Sequence, residues 1–280
     1  MNAHDDVVEK FRQMGARVQI ERVPTHLMGR AWNGERRTAS PDRFRIDIQR
    51  KGDLEIFTIR HRTDVQLRVL DVKGRDRHLL LCAQADAHGP VERLRSKFLC
   101  GHDERAWFVA AVPETARARN VQDAKDALKP PAVWDAMRER GVRRKDRDRR
   151  RTAAFVRQGE WFFIPRPTFK ADESLVLKDE PIRRGGGKPH RCQFLFRMGG
   201  ESVRVHRRYP NGLSIAEYSA LPKHVREMKG WRTMARNARV YVKGSVRHSD
   251  HATVWLDVWH EVVMNTETQA AAMRQVAFLD

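Results

Sequence analysis

Cysteine is scarce in this chain: there are three, Cys82, Cys100 and Cys192, at wide spacing. An odd, scattered set does not make a disulfide framework, so the expectation is reduced thiols in a reducing compartment. Long apolar runs are missing too. Stretches such as Leu79-Leu80-Leu81-Cys82 fall far short of the ~20 residues a bilayer-crossing helix needs, and no transmembrane segment is expected. Near the N-terminus, Asp5, Asp6 and Glu9 stand where a secretion signal needs basic and then apolar residues, which makes a cytoplasmic location the default expectation. Nucleotide and protease signatures are also absent. There is no G-x-x-x-x-G-K-[ST] loop, no H-E-x-x-H and no serine nucleophile elbow. Gly185-Gly186-Gly187-Lys188 runs into Pro189, which has no backbone N–H to offer a phosphate.

Positive charge is abundant. Lys and Arg number 55 against 36 Asp and Glu, so 55 − 36 leaves +19, and 42 of the basic residues are Arg. A coding bias toward arginine explains Arg in place of Lys, but not an excess of positive over negative charge. A field of this sign steers polyanions and binds them through counterion release. Arginine adds bidentate pairing with phosphate and stacking on bases. RNA or DNA is therefore the expected partner, with an acidic protein partner, a membrane surface or simple solubility as alternatives. Composition leaves the oligomeric state open.

With 280 residues, of which 40% are hydrophobic, the chain can bury one large core or two smaller ones. The apolar residues alternate with polar ones in paired runs joined by short turns, the pattern of antiparallel hairpins. Six are expected: Phe44–Ile48 with Leu54–Ile59, Val65–Val72 with His78–Cys82, Lys97–Gly101 with Trp107–Val112, Phe155–Arg157 with Trp161–Ile164, Cys192–Met198 with Val203–Tyr209, and Val240–His248 with Thr253–Met264. Helices are fewer. Asp5–Met14 precedes Gly15, Asn120 can cap Val121–Leu128, and Pro131 opens a helix that continues into a basic run over 132–151. Ser214 and Glu217 fit a capping box leading toward Arg236, and Thr266 with Gln269 starts a C-terminal helix ending near Phe278. Pro24–Asp42 reads as loop. The fold class expected is α+β, mostly antiparallel hairpins with a few short helices, in two modules: 1–170, then a flexible basic linker over 171–188, then 189–280.

Phosphate contacts are expected from three basic segments. Arg140, Arg143, Arg144, Lys145, Arg147, Arg149, Arg150 and Arg151 form the densest, in which Arg140, Arg144 and Arg147 would share one face of a helix. Arg183, Arg184 and Lys188 mark the linker. Arg204 and Arg208, with His206 between them, lie opposite Val203 and Val205 on an alternating strand. Trp255 and Trp259 share a strand face and could stack on bases, although Asp257 and Glu261 lie beside them.

Two constellations carry chemistry. Cys100 with His102, and His190 with Cys192, could together supply a tetrahedral zinc site, although a core role for the cysteines competes with it. His248, Asp250 and His251, with His260 across the last hairpin, could hold zinc or magnesium for phosphodiester hydrolysis. Cys100 as a nucleophile beside His102 and Asp103 is weaker, since side chains in one tight turn diverge. A nucleic-acid-binding protein is the leading expectation, and a metal-dependent nuclease or hydrolase is the alternative. An assembly protein with an acidic partner is the third.

Overall fold

A computed structural model of the protein describes residues 3–23, 43–52, 54–86, 94–184 and 187–271. The expected 24–42 loop, the Asp53 turn position, Gly185, Gly186 and the end of the C-terminal helix at Phe278 lie outside the described residues. The chain is α+β and mostly strand, in antiparallel sheets with a few short helices. No described helix is long and apolar enough to cross a membrane.

Helix α1 (Ala3–Gln13) carries Asp5 and Asp6 in its first turn and Lys10 and Arg12 in its last, complementing the helix dipole at both ends. Val7, Phe11 and Met14 recur on one face and are buried. They pack between two sheets. One joins β1 (Arg17–Val23), β2 (Phe44–Lys51) and β3 (Leu54–Arg62) in the order β1-β3-β2. Here β1 runs parallel to β3, an exception to the expected antiparallel pattern, and it covers the edge that the β2–β3 hairpin leaves open. The other is a meander of β4 (Gln66–Lys73), β5 (His78–Ala85), β6 (Leu94–Asp103) and β7 (Ala106–Val112).

Strand β5 is apolar on both faces, so its alternate residues feed different cores. Leu79, Leu81 and Ala83 join Phe44, Ile46, Phe57, Ile59, Phe98 and Cys100 in the core shared with α1. Leu80 turns the other way, to Leu99, Ala110 and the buried Val121 and Ala124 of α2 (Val121–Ala127). Asn120 caps α2 by accepting from the Asp123 N–H at 2.9 Å.

Helix α3 (Pro131–Glu139) starts at a proline, as expected, but ends before the basic run. Gly141, at φ +60°, takes the left-handed conformation that closes a helix, and only a 3-10 turn at Arg144–Asp146 follows. The expected helix over 132–151 is therefore one helix and a loop, and Arg140, Arg144 and Arg147 do not share a helix face.

A six-stranded sheet then forms from β8 (Val156–Gln158), β9 (Trp161–Pro165), β10 (Leu177–Ile182), β11 (His190–Met198), β15 (Arg239–Arg247) and β16 (Val254–Met264), in the order β10-β11-β15-β16-β9-β8. This sheet crosses the expected boundary. Strands β8 and β9 come from before 171, and β10 is a strand where a flexible linker was expected. The sheet also curls: its opposite edges contribute Val156 and Ile182 to one core with Cys192, Leu195, Val242, Val246 and Leu256.

Between β11 and β15 the chain makes a separate sheet of β12 (Glu201–His206), β13 (Tyr209–Ser214) and β14 (Arg232–Arg236), in the order β13-β12-β14. The expected hairpin of Cys192–Met198 with Val203–Tyr209 does not form, because β11 is already paired on both sides by β10 and β15. Gly199 and Gly200, at φ +69° and +94°, turn the chain out of the large sheet instead. A Cβ on Gly200 would lie 2.9 Å from the Arg236 carbonyl and 3.0 Å from Ala238, so glycine lets the entering and leaving chains meet closely. The Ser214–Glu217 capping box is present and opens α4 (Ile215–Ser219). A short α5 (Lys223–Arg226) follows Pro222, and the stretch toward Arg236 is strand β14 rather than helix.

Phe98 is fully buried against Phe44, with ring centroids 5.0 Å apart. Phe98→Ala should cost about 3–5 kcal/mol of stability, whereas Trp255→Ala, at a residue 65% exposed, should stay within about 0.5 kcal/mol. Urea denaturation of the two variants checks this, and a small effect at Phe98 would contradict the shared core.

Candidate histidine centre and basic surfaces

Gln158 and Trp161 face each other at the end of the β8–β9 hairpin, leaving Gly159 and Glu160 as its turn. Gly159 sits at φ +58°, and a Cβ there would lie 2.9 Å from His251 Nε2. Glycine is thus required both by backbone conformation and by the imidazole packed on it.

Gln158 is buried, and its side-chain amide donates to two backbone carbonyls, Val246 at 3.2 Å and Ala252 at 2.7 Å. With both N–H groups used, Oε1 is left as acceptor, and it takes the Nδ1–H of His190 at 3.0 Å. The Gln158 amide therefore fixes a proton on His190 Nδ1, so that Nε2 is the nitrogen that carries the lone pair whenever the ring is neutral. That Nε2 lies 3.7 Å from the Glu160 carboxylate.

His251 repeats the arrangement. Its Nδ1 is buried without a hydrogen-bond partner and lies 3.9 Å from the Glu104 carboxylate. A negative neighbour there favours the proton on Nδ1 and leaves the Nε2 lone pair facing Gly159. His248 differs, because its Nδ1 accepts the Asp250 backbone N–H at 3.1 Å. The three rings stack, with centroids 4.1 Å apart for His190–His248 and 4.7 Å for His248–His251. One ligand-type atom from each of the three lies within 4.8 Å of the others.

Burial, followed by the His190 and His251 rings, lowers the His248 pKa to about 4. Burial and then His190 lower His251 as well. Burial works to raise the Glu160 carboxyl, but the contact with His190 and the positive field of Arg184 hold it down at about 2. Asp250 belongs to a different contact: Lys188 Nζ holds both of its oxygens at 3.0 Å. His251, Glu160 and Asp250 border a cleft of about 280 Å³ between the β4–β7 meander and the β8–β9 hairpin, whose wall also carries Lys129, Arg149 and Arg157.

The structure brings His248 and His251 together and adds His190 to them, while Asp250, grouped with them in the sequence, is held by Lys188 instead. His260 is not among them; it is buried in β16 with Nδ1 on the Val258 carbonyl at 2.8 Å. The Cys100, His102, His190 and Cys192 set does not assemble. Cys100 is in the core with Phe98, and Cys192 is in the core of the curled sheet. Burial pushes the Cys192 thiol up to about 12 and the Cys100 thiol up further, so neither offers a ready thiolate. Sequence reasoning misses Gln158 and Glu160, because a Gln-Gly-Glu turn reads only as a turn until the sheet curls onto it.

Much of the basic run is consumed internally. Asp146 takes Arg143 at 3.0 Å and Arg149 at 3.1 Å, and Arg150 pairs with Asp103 and Glu104. Arg147 lies over Trp134, Arg140 meets the carbonyls of Ala153 and Pro165, and Arg151 donates to the Trp255 carbonyl. Arg144 and Lys145 stay exposed with no partner among the described residues. In the second segment Arg184 is half-buried against Glu267 and Lys188 holds Asp250, leaving Arg183 exposed. In the third, Arg204 binds Thr233 Oγ1 at 2.8 Å and lies over the Tyr218 ring. Arg207 and Arg208 are the exposed turn between β12 and β13, so Arg208 is not on the strand face. Comparison with known proteins finds no matching family, no similar curated protein and no similar solved structure.

Histidines of the unfolded chain take up protons near pH 6.5, while folded His78 and His248 stay neutral down to about 4. Stability is therefore complete above about pH 6.5 and is lost as pH falls from there toward 4. Thermal melts at fixed ionic strength should show Tm falling between pH 7 and pH 5, and a flat Tm would contradict the buried, neutral rings.

Proposed function

We propose that this protein binds nucleic acid, gripping the phosphate backbone with the arginines and lysines that its own carboxylates leave unpaired. The observation behind the reading is the charge that remains after internal pairing. Residues 201–236 alone carry eight Lys and Arg against three Glu, so 8 − 3 gives +5. Arg207, Arg208, Arg226, Lys229 and Arg232 of this excursion are all exposed. Arg144 and Lys145 add a second exposed pair. Exposed cations that are not committed to an internal ion pair are free to neutralise phosphate, releasing the counterions condensed on it.

Trp255 supports the same reading. It is 65% exposed on β16, with its backbone carbonyl held by Arg151, and an exposed indole is a platform for an unstacked base. The three cysteines are unpaired and buried, which accords with a reducing, cytoplasmic setting.

Fluorescence anisotropy over a salt series, with single- and double-stranded RNA and DNA, tests the proposal. The combined Arg144→Gln, Lys145→Gln, Arg207→Gln and Arg208→Gln variant should bind more weakly. Its slope of log K against log salt should be shallower by about 0.7–0.9 for each phosphate no longer neutralised. Trp255→Ala should weaken single-strand binding by about 1–3 kcal/mol. Absence of binding at low salt to all four nucleic acids would refute the reading, and binding to an acidic polypeptide instead would point to a protein partner.

A further inference from the structure

We propose that His190, His248 and His251 form a site for a divalent transition metal of the zinc class, with Glu160 as the fourth ligand. The inference rests on the imidazole geometry and is independent of nucleic-acid binding.

Neutral imidazole is a preferred ligand for zinc, cobalt and nickel, while magnesium prefers an all-oxygen shell. Histidine ligands characteristically give their other ring N–H to an acceptor, which fixes the tautomer and raises basicity. His190 does so to Gln158 Oε1, and that amide is itself locked by two carbonyls. His251 turns its Nδ1 toward Glu104. The Nε2 of His251 is thereby held beside Gly159, where a Cβ would meet it at 2.9 Å and His190 Cε1 at 3.5 Å, and one ring nitrogen from each of the three histidines lies within 4.8 Å of the others. Paired lone pairs in a half-buried pocket repel each other and favour a cation. Glu160, 3.7 Å from His190 Nε2, supplies a carboxylate that offsets the ion's charge.

Three adjustments complete the site. The rings, stacked with planes 20° and 28° apart, must tilt so that their in-plane lone pairs converge on one point. Ligand atoms of a tetrahedral zinc lie about 3.4 Å apart, so the widest pair, up to 4.8 Å, must close by about 1.4 Å. Both His248 and His251 lie in the chain between β15 and β16, outside regular structure, where such a movement disturbs no ladder hydrogen bond. His248 must also give up the Asp250 N–H or move its own ring proton. The other arrangement of these residues, with Asp250 as a ligand, is opposed by Lys188, which already occupies that carboxylate.

The test uses the full-length, tag-free protein, stripped with chelator and titrated with Zn²⁺ by calorimetry and with Co²⁺ by visible absorption. One equivalent should bind, Co²⁺ should give the intense bands of tetrahedral coordination, and Tm should rise. Mg²⁺ should give none of these. His251→Ala, on the loop, should weaken Zn²⁺ binding at least a hundredfold, and Glu160→Gln at least tenfold. Gln158→Ala, which removes the acceptor of the His190 ring proton, should weaken it about 10–100-fold. Should His190→Ala or Gln158→Ala fail to fold, the loop variant decides. Absence of stoichiometric Zn²⁺ and Co²⁺ binding, or binding that survives both His251→Ala and His248→Ala, would overturn the proposal.

Discussion

The amide of Gln158 is the contact on which the second half of this molecule turns. Strand β8 is one edge of the six-stranded sheet and β11 lies next to the other edge, so in a flat sheet they would be far apart. The Gln158 side chain nevertheless reaches the carbonyl of Val246 on β15, the carbonyl of Ala252 and the ring of His190 on β11. Those three bonds hold the sheet curled, and an unsatisfied amide there would carry a buried polar penalty of roughly 1–3 kcal/mol. The curl brings the Gly159–Glu160 turn against His190 and His251. Core packing and imidazole geometry are therefore two consequences of one closure.

Charge follows a similar logic of internal satisfaction. Carboxylates such as Asp103 and Glu267 draw Arg150 and Arg184 inward, and Asp146 ties Arg143 and Arg149 together at the surface of loop 140–151. What remains positive is concentrated on side chains that face water, above all in the 201–236 excursion. The sequence density of arginine therefore does not by itself separate paired members from unpaired ones. Arg150, in the densest run, is occupied by two acids, while Arg207 and Arg208 at a hairpin tip are not.

Local signals are legible wherever one element decides its own form. Alternating apolar residues with a short turn define five hairpins, and the caps at Asn120 and Ser214 work as their spacing implies. Sequence reasoning fails where a distant strand wins. Cys192–Met198 abandons the hairpin suggested by Gly199-Gly200 because β10 and β15 occupy both its edges. The charged stretch after Met137 looks helical until Gly141 is seen to take a left-handed φ. At the candidate site, His248, Asp250 and His251 are neighbours in sequence and can be grouped. His190, Gln158 and Glu160 join them only through curvature of a sheet, which no spacing encodes. Cys192, two residues from His190, falls into the wrong constellation because alternation along an extended strand cannot say which face is core when both carry polar and apolar groups.

The Gln158 closure imposes a protonation pattern on the histidines, and long-range ¹H–¹⁵N correlation spectra of the ¹⁵N-labelled, metal-free protein above pH 7 read that pattern nitrogen by nitrogen. His190 is predicted to be a pure Nδ1–H tautomer, set by Gln158 Oε1, and His248 an Nε2–H tautomer, set by the Asp250 N–H. Replacing Gln158 by Ala should release His190 into a tautomer mixture while leaving His248 unchanged. An Nε2–H or freely averaging His190 in the wild-type protein would mean that the amide does not close the sheet, and the arrangement of the three rings would lose its physical basis.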